Sequence, residues 1–412
     1  MPYPSPTTDS SLNTISPMRI LIIHNRYQQS GGEDGVVLAE VMLLRSKGHE
    51  VEVMEENNDS IVRWTDAVRT TIDCVYSISA AQDTRKRISQ FRPDLAHIHN
   101  FFPRLSPSVH YACHHAGIPV VQTLHNYRLL CPGATLSRGG KVCEDCVGKA
   151  IPWPSIAHGC YRNSKLASTA VTTMLSIHRA LGTWTRTVDC FIAPTEFARQ
   201  KFIQGGVPAD KIAVKRNFVS PDPGIGAGTG DYALFVGRLS EEKGIETLLA
   251  AWKRLSPDVR LKIVGDGPMA ESVSQAAATI AGVEWLGSRS KVEVSRLMAD
   301  AAFLVAPSIC YETFGLVLIE ALAAGLPVFT SRLGAMAELI SDGQTGKLFT
   351  AGNSDELVSV VKWALSRPDQ LKAMRRKARL EFEIKYTAEA SYSQLVSIYE
   401  ALRSSQTILA TS

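Results

Sequence analysis

Short apolar runs recur along this chain, each followed by a glycine- or proline-bearing loop and then by a stretch with apolar residues three and four positions apart. Arg19-Ile-Leu-Ile-Ile-His24 is the first such run; Gly31-Gly32 follows, then residues 36–47 with helical spacing and a stop at Gly48. Residues 51–55, 95–99, 120–124 and 190–193 read as further buried strands with helical stretches between most of them, which predicts an open parallel sheet. Residues 217–231 hold Pro221, Pro223 and glycines 224, 226, 228 and 230, and the same grammar restarts at Tyr232-Ala-Leu-Phe-Val236. Strands at 261–264, 283–286, 303–306 and 327–330 then complete a second domain. The expected division is a domain over residues 18–216, a linker over 217–231 that serves as a hinge, a domain over 232–383 and a closing segment over 384–412. Doubly wound sheets bind ligands outside the carboxyl ends of their strands, so two facing domains would share one cleft.

Composition narrows the classes without choosing one. The 412 residues, 45% hydrophobic and 20% charged, suffice for two cores of about 200 residues each. A net charge of +4 falls short of a nucleic-acid binder and suits anionic sugar nucleotides or an acidic membrane face. No apolar run reaches the ~18 residues of a spanning helix, and residues 1–17 are polar and Pro/Ser-rich, without the apolar centre of a signal peptide. They read as a disordered leader, and the location expected is cytoplasmic, with the inner face of the cytoplasmic membrane left open.

The chemistry concentrates in loops that follow strands. Gly237-Arg-Leu-Ser-Glu-Glu-Lys-Gly244 sets a guanidinium and an ammonium five residues apart, so both cations can converge on one diphosphate; solvated charges balanced by Glu241 and Glu242 are the plain alternative. Val264-Gly-Asp-Gly-Pro268 is another glycine-opened loop, or simply tight strand-to-helix packing. In Glu312-Thr-Phe-Gly-Leu-Val-Leu-Ile-Glu320, Gly315 opens a helix whose first amides, around Phe314, Gly315 and Leu316, would face phosphate. Glu312 lies before that helix and Glu320 inside it.

Taken in order, these loops, Leu286-Gly287, Pro307-Ser308, Gly325-Leu-Pro-Val328, Gly334, Glu338 and the Asp342-Gly-Gln-Thr-Gly346 turn resemble the retaining glycosyltransferases of family 4, over nearly all of residues 18–405. The resemblance implies a GT-B fold, two Rossmann-like α/β domains facing across a cleft, with a last helix around residues 386–402 crossing back to the first domain. It implies a nucleoside-diphosphate sugar, carrying uridine or guanosine, as donor. Arg238 and Lys243 would hold the diphosphate, Glu312 the sugar hydroxyls and Glu320 the ribose, with Gly287 to Arg289 by the base. Gly31 and Gly32 would lie near the phosphates and His125 would face the anomeric centre. Relatives often have an acid after that histidine; here Asn126 follows, so no acidic role transfers. Glu33 and Asp34 either orient an acceptor hydroxyl or begin the helix as favourable N-terminal acids. No metal or other cofactor is then required for catalysis, since cations and backbone dipoles stabilise the departing charge. The acceptor expected is a glycan or lipid-linked glycan, in surface polysaccharide synthesis. A sugar-nucleotide epimerase and a noncatalytic sugar-nucleotide-binding protein are the alternatives.

Residues 127–163 depart from the two-domain grammar. Cys131, Cys143, Cys146 and Cys160 fall within 30 residues beside Gly133, Gly139 and Gly140, which fits a structural zinc, with His158 as an outside ligand, or else ordinary buried thiols. Residues 164–184 mix leucine, valine and isoleucine with Arg162, Lys165, His178 and Arg179, which suits an amphipathic helix lying either on an anionic membrane or on the first domain's sheet.

Overall fold

A computed structural model describes residues 16–26, 31–57 and 73–411. The leader expected over residues 1–17 lies almost wholly outside the described residues.

Two six-stranded parallel sheets form, as the apolar runs predict. The first comprises β1 (Arg19–Arg26), β2 (Glu50–Asn57), β3 (Leu95–Asn100) and β4 (Val120–Thr123), joined beyond a small hairpin, β5 (Ser137–Arg138) and β6 (Lys141–Val142), by β7 (Cys190–Ala193) and β8 (Ile212–Val214). Its order is β2-β1-β3-β4-β7-β8. The second comprises β9 (Tyr232–Val236), β10 (Arg260–Val264), β11 (Val283–Gly287), β12 (Phe303–Ala306), β13 (Val328–Ser331) and β14 (Gly346–Phe349), in the order β11-β10-β9-β12-β13-β14. Every residue of β3, β4, β12 and β13 is buried, as expected of strands covered on both faces. Strand order reverses beside β1 and beside β9, so the loops after β1, β3, β9 and β12 open onto the two ligand crevices.

The chain returns to the first domain at its end. Tyr386 is buried in the second domain's core with Phe382, whereas Tyr392, Leu395, Val396 and Tyr399 of the helix Ala388–Thr411 pack against Met18, Ile20, Val37 and Val121 of the first. His49 Nε2 meets the Tyr392 hydroxyl at 2.9 Å and fastens that return.

The glycine-rich half of the expected linker is not free chain. The amides of Gly226, Gly228 and Gly230 donate to the carbonyls of Ala324, Ala299 and Asp300, and the Arg375 guanidinium donates to Gly226 and Ala301 carbonyls. At Gly226 a β-carbon would overlap the Ala299 backbone, so glycine here permits close approach rather than flexibility.

Candidate active site

The loop after β9 turns through a short 3-10 segment, Glu241–Lys243, into the helix Ile245–Leu255, and Gly244 makes the junction at φ +73. A β-carbon there would overlap the Pro307 carbonyl oxygen, and the Ile309 amide donates to the Glu242 carbonyl at 2.9 Å. The two loops on either side of the crevice are thereby pressed together. Their side chains meet as well: Lys243 Nζ lies 2.5 Å from Glu312 Oε1, which also accepts from the Ser308 hydroxyl at 3.0 Å. Burial alone would push the Glu312 carboxyl up, but the Lys243 ammonium and the Ser308 hydroxyl outweigh it and hold the group below the ordinary carboxylate range. Burial likewise works against the Lys243 charge, and Glu312 reverses that too.

Around this pair lies a cavity of about 1000 Å³ between the domains. Gly31, Gly32, Glu33 and His125 line it from the first domain; Arg238, Lys243, Arg289, Glu312, Phe314, Gly315 and Leu316 line it from the second. Arg238 is exposed and its guanidinium makes no hydrogen bond or ion pair among the described residues. Gly315 opens the eight-residue helix Leu316–Ala323 in a left-handed conformation, φ +98, which turns the first helical amides toward the cavity. Gly32 faces that helix across the cleft, where an added β-carbon would stand 2.9 Å from Leu316 Cδ1.

Three expected residues do not line the cavity. Gly287 is replaced on its wall by Ser288. Glu320 sits about 6 Å down the helix from Leu316, where burial pushes its carboxyl up against the opposing pull of Lys291. Asp34 is committed elsewhere: one oxygen meets His24 Nε2 at 2.8 Å and the other accepts the Gly31 amide at 3.1 Å. It stands in the first turn of the helix Gly32–Ser46, and these bonds fit the reading of Asp34 as a favourable N-terminal acid.

The insert keeps its cysteines near one another: Cys131 and Cys160 both lie against Gly133, and burial together with the neighbouring Cys131, Cys160 and Cys143 pushes the Cys146 thiol up to about 11. Among the described residues no three of their sulfur atoms come within 4.8 Å of one another, a spacing met by Glu40, His97 and His99. Cys131 is buried among Leu129, Leu130 and Leu136, and the Cys146 thiol turns to the Pro152 carbonyl at 3.8 Å. What the insert does is reach across: Gly139 and Gly140 turn the β5–β6 hairpin with φ of +53 and +67, and Gly140 abuts the Glu241 carboxylate and Ile309 of the second domain. The helix Lys165–Ala180 lies on the first domain, with Val171, Met174 and Leu175 in its core. His178 and Arg179 face inward, to the Val75 and Leu129 carbonyls, and burial pushes the His178 imidazole down toward neutrality, while Leu166, Ile177 and Leu181 are exposed.

Contacts that sequence reasoning missed hold the Glu312 loop to the first domain. The Thr313 hydroxyl donates to the His125 carbonyl at 2.7 Å, the Tyr127 hydroxyl to the Glu312 carbonyl at 3.3 Å and the Thr195 hydroxyl to the Thr313 carbonyl at 3.1 Å. Glu338 accepts the amides of Glu196 and Phe197 at 3.0 and 2.8 Å, capping a first-domain helix from the second domain. Behind His125, Glu40, His97, His99 and Lys215 form a buried polar cluster. Its signal was present. Glu40 falls between Val36, Val37, Val41 and Leu44 on the apolar face of its helix, and His97 and His99 alternate on one face of an otherwise apolar strand.

Buried neutral histidines carry a consequence for stability. Burial pushes His99 down to about 3 and His110 to about 4, so between those values and 6.5 the unfolded chain binds protons that the native one does not. Stability is therefore complete above the unfolded value and is lost as the pH falls below it, by ~1.4 kcal/mol per pH unit for each histidine. The expected result is a denaturant midpoint that already drops between about pH 6.5 and 5, before most carboxylates titrate. A midpoint that stays level across that window would contradict it.

Two family models tile the chain: Glycosyltransferase Family 4 matches residues 31–223 and Glycosyl transferases group 1 matches residues 225–381. The chain belongs to the family 4 glycosyltransferases. Among curated proteins similar to this chain, a phosphatidyl-myo-inositol mannosyltransferase of Mycobacterium leprae is 36% identical over 43% of the chain and 48% of its own length. The sulfoquinovosyl transferase SQD2 of Arabidopsis thaliana is 32% identical over 39% of the chain and 32% of its own length. The chain thus spans about half, or less, of the length of the curated relatives it matches. Solved structures carry the fold over almost the whole molecule. HepE of Anabaena in complex with UDP superposes with a TM-score of 0.66 at 18% identity, covering 93% of this chain and all of that one. Sucrose-phosphate synthase of Thermosynechococcus elongatus reaches 0.71 at 16% identity, covering 94% of this chain and 100% of its own. The fold is GT-B, as the sequence resemblance implied. Among the described residues, no helix is long and apolar enough to cross a membrane.

Proposed function

We propose that this family 4 glycosyltransferase moves a hexosyl group from a nucleoside-diphosphate sugar to a glycan or lipid-linked glycan, with retention at the anomeric carbon, as a step in surface polysaccharide synthesis. The observation that carries the reading is the arrangement of Arg238, Lys243 and the first amides of the helix Leu316–Ala323 around one interdomain cavity. Two cations and a helix start supply what a leaving diphosphate needs in the transition state. Glu312, tied to Lys243 and Ser308, is oriented to accept hydroxyls of the sugar, and that engagement of Oε1 leaves it poorly suited to act as a nucleophile. Glu320 is the residue the family resemblance assigns to the ribose hydroxyls; its carboxylate makes no hydrogen bond among the described residues, but it does not line the cavity, so the assignment requires the ribose to reach past the helix start. With two cations and a helix start gathered on the leaving group, attack from the leaving-group face by an acceptor whose proton passes to the departing phosphate fits best.

A uridine diphosphate donor is the first candidate, because solved GT-B neighbours were crystallised with UDP and with UDP-glucose. GDP-hexoses are the second. The acceptor would enter on the side of Glu33 and the insert hairpin, and the exposed Leu166, Ile177 and Leu181 offer an apolar patch for peripheral contact with a membrane's inner face. A panel of UDP- and GDP-hexoses, read by nucleotide release with and without added divalent metal and chelator, tests the donor reading. Release from one donor that persists in chelator is expected. No release or transfer across the panel, in protein that binds nucleotide, would favour a noncatalytic binder; conversion of the donor to its epimer without acceptor would favour an epimerase.

A further inference from the structure

Behind His125 a chain of polar side chains runs into the first domain's sheet. Lys215 Nζ lies 2.6 Å from Glu40 Oε2, with both side chains at most 3% exposed. Glu40 Oε1 lies 3.3 Å from His99 Nε2, and His99 Nδ1 lies 2.9 Å from His125 Nε2, with the two rings stacked 5.2 Å apart. His97, although 3.2 Å from Glu40, has both nitrogens engaged by other groups, Nδ1 by the Tyr399 hydroxyl at 2.6 Å and Nε2 by the Thr123 hydroxyl at 2.7 Å. Glu40 Oε1 and His99 Nε2 are fully buried and neither is aligned with a hydrogen-bond partner, so the 3.3 Å between them is an ion-pair contact in which the carboxylate faces the ring nitrogen. A buried ion pair costs several kcal/mol of desolvation per ion and seldom stabilises a fold over an apolar replacement. Its presence against the one histidine that faces the cavity asks for a reason other than stability.

Proton counting supplies one. A carboxylate only accepts, so the imidazole nitrogen facing it must donate; a neutral imidazole has one N–H, so its other nitrogen must accept. His99 then carries its proton on Nε2 and accepts at Nδ1, which requires His125 to donate from Nε2. The His125 Nδ1 is left with a lone pair, and it makes no hydrogen bond among the described residues. We propose that Glu40, kept ionised by Lys215, fixes the tautomers of His99 and His125 so that His125 offers an unprotonated Nδ1 as acceptor for a hydroxyl of the bound donor sugar. Glu40, Lys215 and His99 are positioning residues; only His125 lines the cavity. The protonation states agree: burial would raise the Glu40 carboxyl, but Lys215 and the histidines hold it well below the ordinary range, and burial pushes both His99 and His125 down into neutrality. The same lysine makes a metal ion on Glu40, His97 and His99 redundant, since a cation already neutralises the carboxylate.

The role of the hydroxyl rests on the donor-site reading, but the tautomers do not, and the test separates them. Long-range proton–nitrogen NMR of the full chain with nitrogen-15 histidine, with His125 assigned by its loss in His125→Asn, should show the His125 proton on Nε2. In Glu40→Gln the amide oxygen stays with Lys215 and the amide NH2 turns to His99, which reverses both tautomers and puts the His125 proton on Nδ1. Nucleotide release from UDP-glucose, or from whichever donor the panel selects, should fall about 10²-fold or more in that variant, as expected for a wrong tautomer. A wild-type His125 protonated on Nδ1, or a folded Glu40→Gln protein with an unchanged His125 pattern, would overturn the proposal. If Glu40→Gln does not fold, the wild-type spectrum alone decides it. Absence of turnover in wild type alongside the expected spectra would sink the donor reading and leave the tautomer relay standing.

Discussion

Lys243→Ala is expected to lower donor turnover by about 10²–10³-fold. Two losses combine in that variant. The ammonium that would neutralise the leaving diphosphate disappears, and Glu312, now without its 2.5 Å partner, remains as a half-buried carboxylate facing an anionic ligand. That second effect makes the substitution worse than deleting a phosphate contact, because the residual charge repels what the site should bind. Side-chain exposures of 31% for Lys243 and 18% for Glu312 limit the stability cost to roughly 1–2 kcal/mol, below that of a fully buried pair. The double variant Lys243→Ala/Glu312→Gln should regain part of the nucleotide binding, although not the turnover. Steady-state nucleotide release with calorimetric binding separates the two. Turnover within about threefold of wild type in Lys243→Ala would remove this residue from the mechanism.

Gly244→Ala should severely damage the second domain. The residue combines a left-handed backbone, which costs a non-glycine side chain about 1–2 kcal/mol, with a β-carbon position already occupied by the Pro307 carbonyl, where relieving the overlap costs about 1–3 more. The expected sum is roughly 2–5 kcal/mol. Relief must come from separating the loop after β9 from the loop after β12, so Lys243 and Glu312 part as well. Denaturation by guanidinium should show an early transition for the second domain, and the folded remainder should bind nucleotide weakly. An alanine variant with an unchanged midpoint would mean that the two loops are not packed as described.

Much of this was legible because its signals are local. β7, β9 and β12 were found to the residue, since each is apolar throughout, almost wholly buried and bounded by turn chemistry. The edge strands β8 and β14 escaped: Ile212–Val214 is three residues long and Gly346–Phe349 carries Lys347 on a half-covered edge, so neither stands out from loop. Arg238, Lys243, Glu312 and Gly315 could be placed around one cavity because each lies at a fixed offset from a strand end or helix start. Gly226, Gly228 and Gly230 were misread as flexible chain because composition does not reveal whether a glycine is there for mobility or for close approach. Cross-domain contacts such as Glu338 to the Glu196 amide join residues 142 positions apart, a relation no spacing encodes.

The account turns on one claim, that the interdomain cavity is a diphosphate cradle. Arg238 gives the cleanest test, because its exposed guanidinium supports nothing else in the fold among the described residues. Calorimetric titration of UDP and GDP into wild type and Arg238→Ala at two salt concentrations should show binding of one nucleotide to the wild type and a loss of about tenfold or more in the variant, corresponding to roughly 1.5–3 kcal/mol for a charge-assisted hydrogen bond. The difference between the proteins should shrink as salt rises. Equal affinity of the two proteins for the nucleotide, with both folded, would contradict it.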